Sequence, residues 1–414
     1  MSYSVNTFTD YVLLFGSSSL VGKGTLENLL DINLYIKNVS DLQGKLDSLS
    51  EIKGNVVLNK HVFCVNRRCI NEEKSFMKTI DYINMRSVTW QGGRYYLRSR
   101  KEKDTEKVPS SPNTFCYDNF EEGFIKNTPE ERGKDGYSFV YNQKQFSYTL
   151  HYACGKEKGI EIIYNFTVTQ LIIPRSETWP KLLPRIFSGT QKLEKFDIDN
   201  KNYVPGRSLP SLCDISTMVC SLGSTSARVR RTQVPSSFAD YYLPFNLAQE
   251  FTNTTNKRLV VTTAFNNDFL SKTFEYFRIK AKLENDLDEA LPNKLKELVI
   301  LRPGPMCGQH GNPINVELGK ENSTFLEKIF YYPHYLLVYK KKYISEARRI
   351  GLRTKLSEII ASSIYRMPGS ALLGYAVPVS KVSYVASLMA IERKSKEAGP
   401  KLEVINSYQI DMIV

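Results

Sequence analysis

The chain has little of the chemistry that most readily marks a site. Its 414 residues include 7 cysteines, an odd number, and no Cys-x-x-Cys pair. That pattern argues against a disulfide framework and for reduced thiols in an intracellular compartment. Histidine is scarcer still. His61, His151, His310 and His334 lie far apart and form no metal-ligand spacing, so we expect no zinc site. Long apolar runs are missing too: the most apolar late stretch, Ser370–Ile391, is interrupted by Pro378 and Lys381 and does not read as a spanning helix. There is no internal repeat and no low-complexity tail. The opening residues Met1–Asp10 carry one Asp and no Arg, and an apolar strand pattern starts at Tyr11. We therefore expect neither a signal peptide nor the usual transit peptide, and a soluble or peripheral protein.

What is present is globular in character. Apolar residues make up 42% and aromatics 12% of the chain, too much for a disordered protein. The formal net charge of +13 favours acidic partners such as phosphates, anionic membranes or nucleic acid, without choosing among them.

Along the chain a β-α-β rhythm appears. Tyr11–Phe15 (YVLLF) is a short continuous apolar run, as expected of a buried parallel strand. The glycine turn GSSSLVG at 16–22 follows, and then a helical pattern over Thr25–Leu30. Strand, glycine turn and helix in that order give a glycine motif its meaning. A second strand, His61–Val65, ends in Asn66, Arg67 and Arg68. From about Cys69 to Gly159 the pattern changes to mixed charge, Tyr/Phe and turn residues, which we read as a large β-rich insertion. The rhythm resumes with Ile172–Pro174, a strand over Ile215–Ser221 and the strands Leu259–Thr263 and Leu298–Leu301. Phe274–Leu287 reads as a helix. Alternating strands and helices predict an α/β protein with a Rossmann-like doubly wound parallel sheet, a large β-rich insertion and a smaller C-terminal substrate-side region. The expected boundaries are 1–68 and 161–304 for the two parts of the Rossmann core, 69–160 for the insertion and 305–414 for the C-terminal region.

The most informative motif is Tyr276–Lys280 (YFRIK), shortly past the strand Leu259–Thr263. A Tyr and a Lys four apart on a helix project from one face. A neighbouring ammonium lowers a phenol's pKa, so Tyr276 could exchange a proton near neutral pH. Alone the pair is weak, because 25 Tyr and 56 Lys+Arg produce such spacings by chance.

Taken with their surroundings, these residues resemble an atypical short-chain dehydrogenase/reductase, of the group that holds the fungal "found in mitochondrial proteome" oxidoreductase and the Tat-interacting oxidoreductase. The turn Gly16–Gly22, the strand end Val65–Arg68, the Trp segment Ser176–Trp179 and the turn Cys220–Thr225 are each similar to a family segment, in the family's order. So are the helix Tyr276–Lys280 with Leu283 and Glu284, Leu301–Gly308, and Leu373–Val385. The resemblance covers roughly residues 11–30, 60–70, 170–310 and 370–410; the stretches near 31–55, 69–160 and 311–365 have no counterpart in it.

The resemblance implies a dinucleotide site at Gly16, Ser19, Gly22 and Gly223. Ser19 stands where the family has its middle glycine, and its side chain would either crowd the dinucleotide or hydrogen-bond it. Arg67 and Arg68 stand where the adenosine ribose is met, and Arg there accommodates a 2′-phosphate, so NADP(H) is the expected cofactor. Tyr276 would protonate the substrate oxygen, Lys280 would hold the ribose, and Thr263 (or Thr262) would replace the family's Ser in orienting the oxygen. Phe265, in the segment Ala264–Asn267, departs from the family's small turn. The implied activity is NADPH-dependent carbonyl reduction or alcohol oxidation on a small molecule; the alternative is a catalytically lapsed Rossmann-fold binding or scaffold protein. A separate basic, aromatic tract, Tyr339–Tyr343 with Lys340, Lys341 and Lys342, leads into Arg348, Arg349, Arg353 and Lys355. It could meet an anionic membrane surface or RNA, or simply be a docked helix with a solvated basic face. The family resemblance implies the outer surface of mitochondria or the cytoplasm.

Overall fold

The first strand, β1 (Asn6–Phe15), sends successive side chains into two separate cores. Val12 and Leu14 enter one cluster, Leu13 and Phe15 the other, and all four are buried. A strand covered on both faces must be apolar throughout, which is why YVLLF shows no alternation. In this computed structural model the described residues are 6–30, 56–67, 86–91, 94–99, 121–125, 139–152, 160–173, 175–190, 192–197, 202–223, 235–252, 257–290, 295–307, 374–391 and 401–413. Arg68, Ser224, Thr225 and the basic tract of 339–355 lie outside them.

Six more strands run parallel to β1: β2 (Val56–Asn66), β3 (Ile160–Ile172), β4 (Thr217–Cys220), β5 (Lys257–Thr262), β6 (Leu295–Arg302) and β7 (Lys401–Asn406). Their spatial order is β3-β2-β1-β4-β5-β6-β7, with parallel pairing throughout. This is the doubly wound Rossmann order, and the winding reverses between β1 and β4. The expected α/β Rossmann-like class is the fold observed. Beyond β3 the sheet continues antiparallel through Phe139–Tyr152, Glu121–Ile125, Lys192–Asp197 and Asn202–Ser208, with the hairpin Arg86–Gln91/Arg94–Ser99 attached to Phe139–Tyr152.

Seven helices surround the parallel strands among the described residues: α1 (Leu20–Leu29), α2 (Trp179–Ile186), α3 (Leu243–Phe251), α4 (Asp268–Thr273), α5 (Glu275–Ala290), α6 (Val379–Ile391) and α7 (Ser407–Ile413). α1 and α6 bury Leu26, Leu29, Val382, Val385 and Met389 against one face. α2, α3 and α5 bury Trp179, Leu183, Leu247, Phe251, Leu283 and Leu287 against the other. No helix among the described residues is long and apolar enough to cross a membrane.

Element ends differ from the sequence expectation in instructive ways. α1 begins at Leu20 rather than Thr25, since Ser19 caps it directly after the turn. β7 was not expected at all: it lies at the end of the sheet and is the charged, short KLEVIN segment. The C-terminal region thus completes the sheet as well as flanking the site.

α1 and α6 cross at close range. A Cβ at Gly24 would lie 2.6 Å from the Ser383 hydroxyl, which itself sits 3.0 Å from the Val21 carbonyl oxygen. Ser387 Oγ donates toward the Thr25 carbonyl at 3.0 Å, so two hydroxyls tie the helices together. On the same helix Glu27 is buried, and burial pushes its carboxyl up to about 7, with Lys23 opposing at 4.0 Å. An acid whose folded pKa is raised keeps its proton in the native state where the unfolded chain loses it, so stability falls as pH rises through the window from about 4.5 to 7. Glu27→Gln removes that loss. We expect the variant's advantage in unfolding free energy over the parent to grow by about 2 kcal/mol between pH 5 and pH 8, read from denaturant unfolding at the two pH values. A constant difference at both would show that Glu27 is ionised in the folded protein throughout.

Candidate functional site

The turn after β1 is shaped by contact with the end of β4. Gly16 has φ +82°, and a Cβ there would lie 2.7 Å from the Ser221 carbonyl oxygen, so only glycine fits. Gly22 is equally constrained, because its Cβ would fall 2.0 Å from the Gly16 carbonyl oxygen. Between them Ser19 neither projects across the turn nor stands apart from it. Its hydroxyl accepts the Gly22 N–H at 3.0 Å as the N-cap of α1 and donates to the Ser221 carbonyl at 3.2 Å. The side chain therefore ties the first turn of α1 to the end of β4 at the point where the winding reverses. One N-terminal donor of α1, that of Gly22, is engaged by the cap. Those of Leu20 and Val21 have no carbonyl within the helix to reach.

Around this turn lies an unusual set of polar atoms. Buried polar groups in folded proteins are nearly always hydrogen-bonded. Among the described residues, the buried side-chain atoms that lack a partner are Asn66 Nδ2, Gln170 Oε1, Ser221 Oγ, Thr262 Oγ1 and Asn266 Oδ1. Asn66 ends β2, Gln170 lies near the end of β3, Ser221 follows β4, Thr262 ends β5 and Asn266 is in the loop beyond. All five gather along the carboxyl edge of one sheet. Asn66 is held in place by Ser17, whose hydroxyl donates to Asn66 Oδ1 at 2.8 Å and leaves the amide nitrogen unpartnered.

The opposite side of that edge carries the expected catalytic helix. Lys280 on α5 is buried, and its ammonium lies 3.0 Å from Asp240 Oδ1, itself 1% exposed. Asp240 comes from a π-helical turn, Phe238–Tyr242, that precedes α3, a local widening often found at functional positions. A Cβ at Gly223 would lie 3.5 Å from the same carboxylate oxygen, so the loop after β4 passes beside the pair. Burial pushes the Cys220 thiol up to about 11, with Lys280 among the smaller opposing influences, which makes it a packing residue and not a nucleophile.

Tyr276 behaves differently from expectation. We expected Lys280 to bring the phenol down; the phenol instead lies above its ordinary value. Desolvation by the surrounding chain is the largest cause although 43% of the side chain is exposed, Lys280 lowers, and Asp240 raises. The ammonium's influence is blunted by the carboxylate it is paired with. Thr263 also differs. Its hydroxyl lies against Glu284 Oε1 and 3.1 Å from the Leu301 carbonyl, while Glu284 Oε2 receives Arg302 Nε at 2.8 Å and Nη2 at 2.6 Å. Thr263 is thus part of a buried Thr-Glu-Arg network facing α5, whereas the neighbouring Thr262 hydroxyl is the unpartnered one.

The structure brings Gly16, Ser19, Gly22, Gly223, Thr263, Tyr276 and Lys280 to the carboxyl edge. Arg67 follows the end of β2, half-buried, and Arg68 lies outside the described residues. Sequence reasoning missed Asp240, Glu284 as a partner of Thr263 and Arg302, and the unpartnered Asn66, Ser221 and Asn266. Asp240 had no local signal, since its partner is forty residues away and on another helix. Asn66 had one: a polar residue closing an apolar strand.

Strand order, glycine turn and carboxyl-edge polar groups define a Rossmann-like α/β protein. Residues 168–336 match the HIM1 family. Over all 414 residues, the full length of both chains, the sequence is 99% identical to Protein HIM1 of Saccharomyces cerevisiae. The chain belongs to the HIM1 family. Solved structures with a similar course include MoeE5 in complex with UDP-glucuronic acid and NAD (TM-score 0.32, 11% identity, 96% of this chain and 76% of that one). Another is YwfH, an NADPH dependent reductase involved in bacilysin biosynthesis (TM-score 0.31, 9% identity, 97% and 99%). Superpositions that loose carry no argument about this chain's ligand.

The buried pair makes a double prediction. Asp240→Asn leaves Lys280 buried without a counter-charge, which should cost about 3–5 kcal/mol of stability. It also removes a charge that raises the phenol, so the Tyr276 pKa should fall; ultraviolet titration against Tyr276→Phe isolates that residue. A phenol that does not move would mean Asp240 has no influence on it.

Proposed function

We propose that the chain is an oxidoreductase of the short-chain dehydrogenase type, using NADP(H) on a small carbonyl or alcohol. The observation that carries this is the gathering of the unpartnered buried polar atoms along the carboxyl edge of the sheet, around the glycine turn. A dinucleotide laid across that edge would give Asn66 Nδ2 an acceptor and Ser221 Oγ a partner, and the Leu20 and Val21 N–H groups at the start of α1 would be the ones to hold its pyrophosphate. Arg67, with Arg68 next in sequence, favours the 2′-phosphate form.

The bound nicotinamide would supply hydride chemistry. The chain's own part is proton delivery and orientation. A phenol held above its ordinary pKa stays protonated at neutral pH, so Tyr276 is suited to donate to a forming alkoxide and poorly suited to act as phenolate base. Lys280, fixed by Asp240, can hold a ribose hydroxyl with its remaining N–H donors. Of the two threonines, Thr262 is better placed to orient the substrate oxygen, because its hydroxyl is uncommitted.

A second reading, a protein that kept the ligand site and lost turnover, is favoured by one set of contacts. Ser19 occupies the Gly22 donor, Thr263 is held by Glu284, and Asp240 neutralises Lys280. Calorimetry with NADPH and NADH on the full chain comes first. We expect micromolar NADPH binding, weaker NADH binding, and a loss of that preference in Arg67→Ala. If binding is found, Tyr276→Phe should lower carbonyl reduction by roughly 10²–10⁴-fold with NADPH affinity unchanged. Binding with no turnover in either protein selects the second reading; no binding of either nucleotide at millimolar concentration sinks both.

A further inference from the structure

We infer that the substrate side of this edge is built for an uncharged ligand: a neutral carbonyl or alcohol on an apolar body, not a carboxylate or phosphate. The inference rests on the reading of the edge as a nicotinamide site and adds the class of molecule that would meet it.

Among the described residues, the buried and half-buried ionised side chains near the ends of β5 and β6 are each matched within the protein. Lys280 is paired with Asp240 at 3.0 Å, Lys381 with Asp411 at 3.0 Å, and Arg302 with Glu284 at 2.6 Å. Arg302 is the one with appreciable exposure, and both its Nε and its Nη2 are directed at Glu284 Oε2. An anionic ligand that took Arg302 would leave the Glu284 carboxylate, 3% exposed, with only the Thr263 hydroxyl. Uncovering a buried charge in that way is strongly unfavourable. The polar atoms left over, Thr262 Oγ1 and Asn266 Oδ1, are both neutral. One can donate to a carbonyl or alcohol oxygen; the other accepts from a hydroxyl.

The surfaces between them are apolar and held firmly. Phe265 lies between Thr262 and Asn266 in the chain, and its backbone N–H donates to the Pro303 carbonyl at 2.7 Å. A Cβ at Gly374 (φ +89°) would lie 2.5 Å from the Phe265 ring, so ring and glycine are in full contact. Tyr375 beyond it has φ +51°, a left-handed conformation uncommon for a bulky residue. It is kept there by α7. The Ser407 hydroxyl donates to the Tyr375 carbonyl and accepts the Gly304 N–H at 2.9 Å, and the Tyr375 hydroxyl donates to Asp411 Oδ2 at 2.7 Å. On the approach, Phe274, Tyr276 and Phe277 form an edge-to-face aromatic group at the start of α5, with Phe274 and Tyr276 exposed. Matched charges, two neutral polar atoms and aromatic walls suit a lipophilic molecule with one oxygen function.

The test compares two probes that share a ring and a carbonyl and differ in charge, acetophenone and phenylglyoxylate. Binding of each to the full chain is followed by saturation-transfer NMR titration, with NADPH calorimetry run in parallel. We expect acetophenone to bind on the order of tenfold or more tightly than phenylglyoxylate, and Thr262→Val to weaken acetophenone several-fold. Equal or tighter binding of phenylglyoxylate, failure of both probes to bind, or indifference to Thr262→Val in a folded variant overturns the inference. Should Thr262→Val not fold, the comparison of probes on the unaltered chain decides alone. NADPH binding together with a preference for phenylglyoxylate would overturn this inference and leave the cofactor reading standing. A preference for acetophenone without NADPH binding would overturn the cofactor reading, and with it the substrate role of this side, and leave only its preference for an uncharged ligand.

Discussion

A parallel sheet cannot leave either face in water, and that constraint organises everything else in this chain. Each strand of the core needs a crossover, and each crossover helix needs a face of the sheet to cover. With β2 and β3 wound to one side of β1 and β4 to β7 to the other, the crossovers separate between β1 and β4. Ser19 closes that point from the protein side by joining the first turn of α1 to the carbonyl of Ser221. The polar side chains that end the strands are left facing the same edge from both sides of the closure. Where the sheet must be apolar to be buried, its carboxyl ends are where polarity can collect.

The charges near that edge follow a second rule. A buried ion is tolerated when it is paired, and Lys280, Glu284 and Lys381 each have a partner on a different element. Such pairs specify how α5, α6 and α7 sit, since removing one member leaves the other uncompensated. They also silence one another electrically. Asp240 cancels much of what Lys280 would do to the Tyr276 phenol, and Glu284 does the same to Arg302. What remains active at the edge is a set of neutral hydrogen-bonding atoms and a protonated phenol.

The parts of this structure legible in the sequence are those set by local pattern. The runs YVLLF and Leu259–Thr263 are apolar because both faces are covered, so β1 and β5 could be read directly. The glycines at 16 and 22 are required by contacts within a few residues or with the neighbouring strand end, and their spacing carries that information. β7 was missed because an end strand has one neighbour fewer to satisfy, and KLEVIN can carry Glu403 and an exposed Leu402. The direction of the Tyr276 shift was missed for a different reason. A helical spacing of four shows Lys280 beside Tyr276, but it shows neither the desolvation that is the largest cause of the raised phenol nor Asp240, which arrives from a turn before α3. Local chemistry was readable; its long-range neutralisation was not.

Ser19 shows how these strands of reasoning meet. Glycine at the middle of such a turn allows a phosphate to approach the backbone closely, and a side chain there occupies part of that space. In the rotamer adopted the hydroxyl is engaged by the Gly22 N–H and the Ser221 carbonyl. The exchange has two consequences of opposite sign. A serine cap stabilises a helix by roughly a few tenths of a kcal/mol relative to glycine, while the Gly22 donor is withdrawn from any anion at the helix end. A turn so arranged is more stable without ligand and binds an anion less tightly than one with three glycines. In the proposed reading, the departure at residue 19 would shift the balance between a preformed edge and a strongly binding one, and would leave the neutral groups at Asn66, Ser221 and Thr262 with a larger share of the recognition.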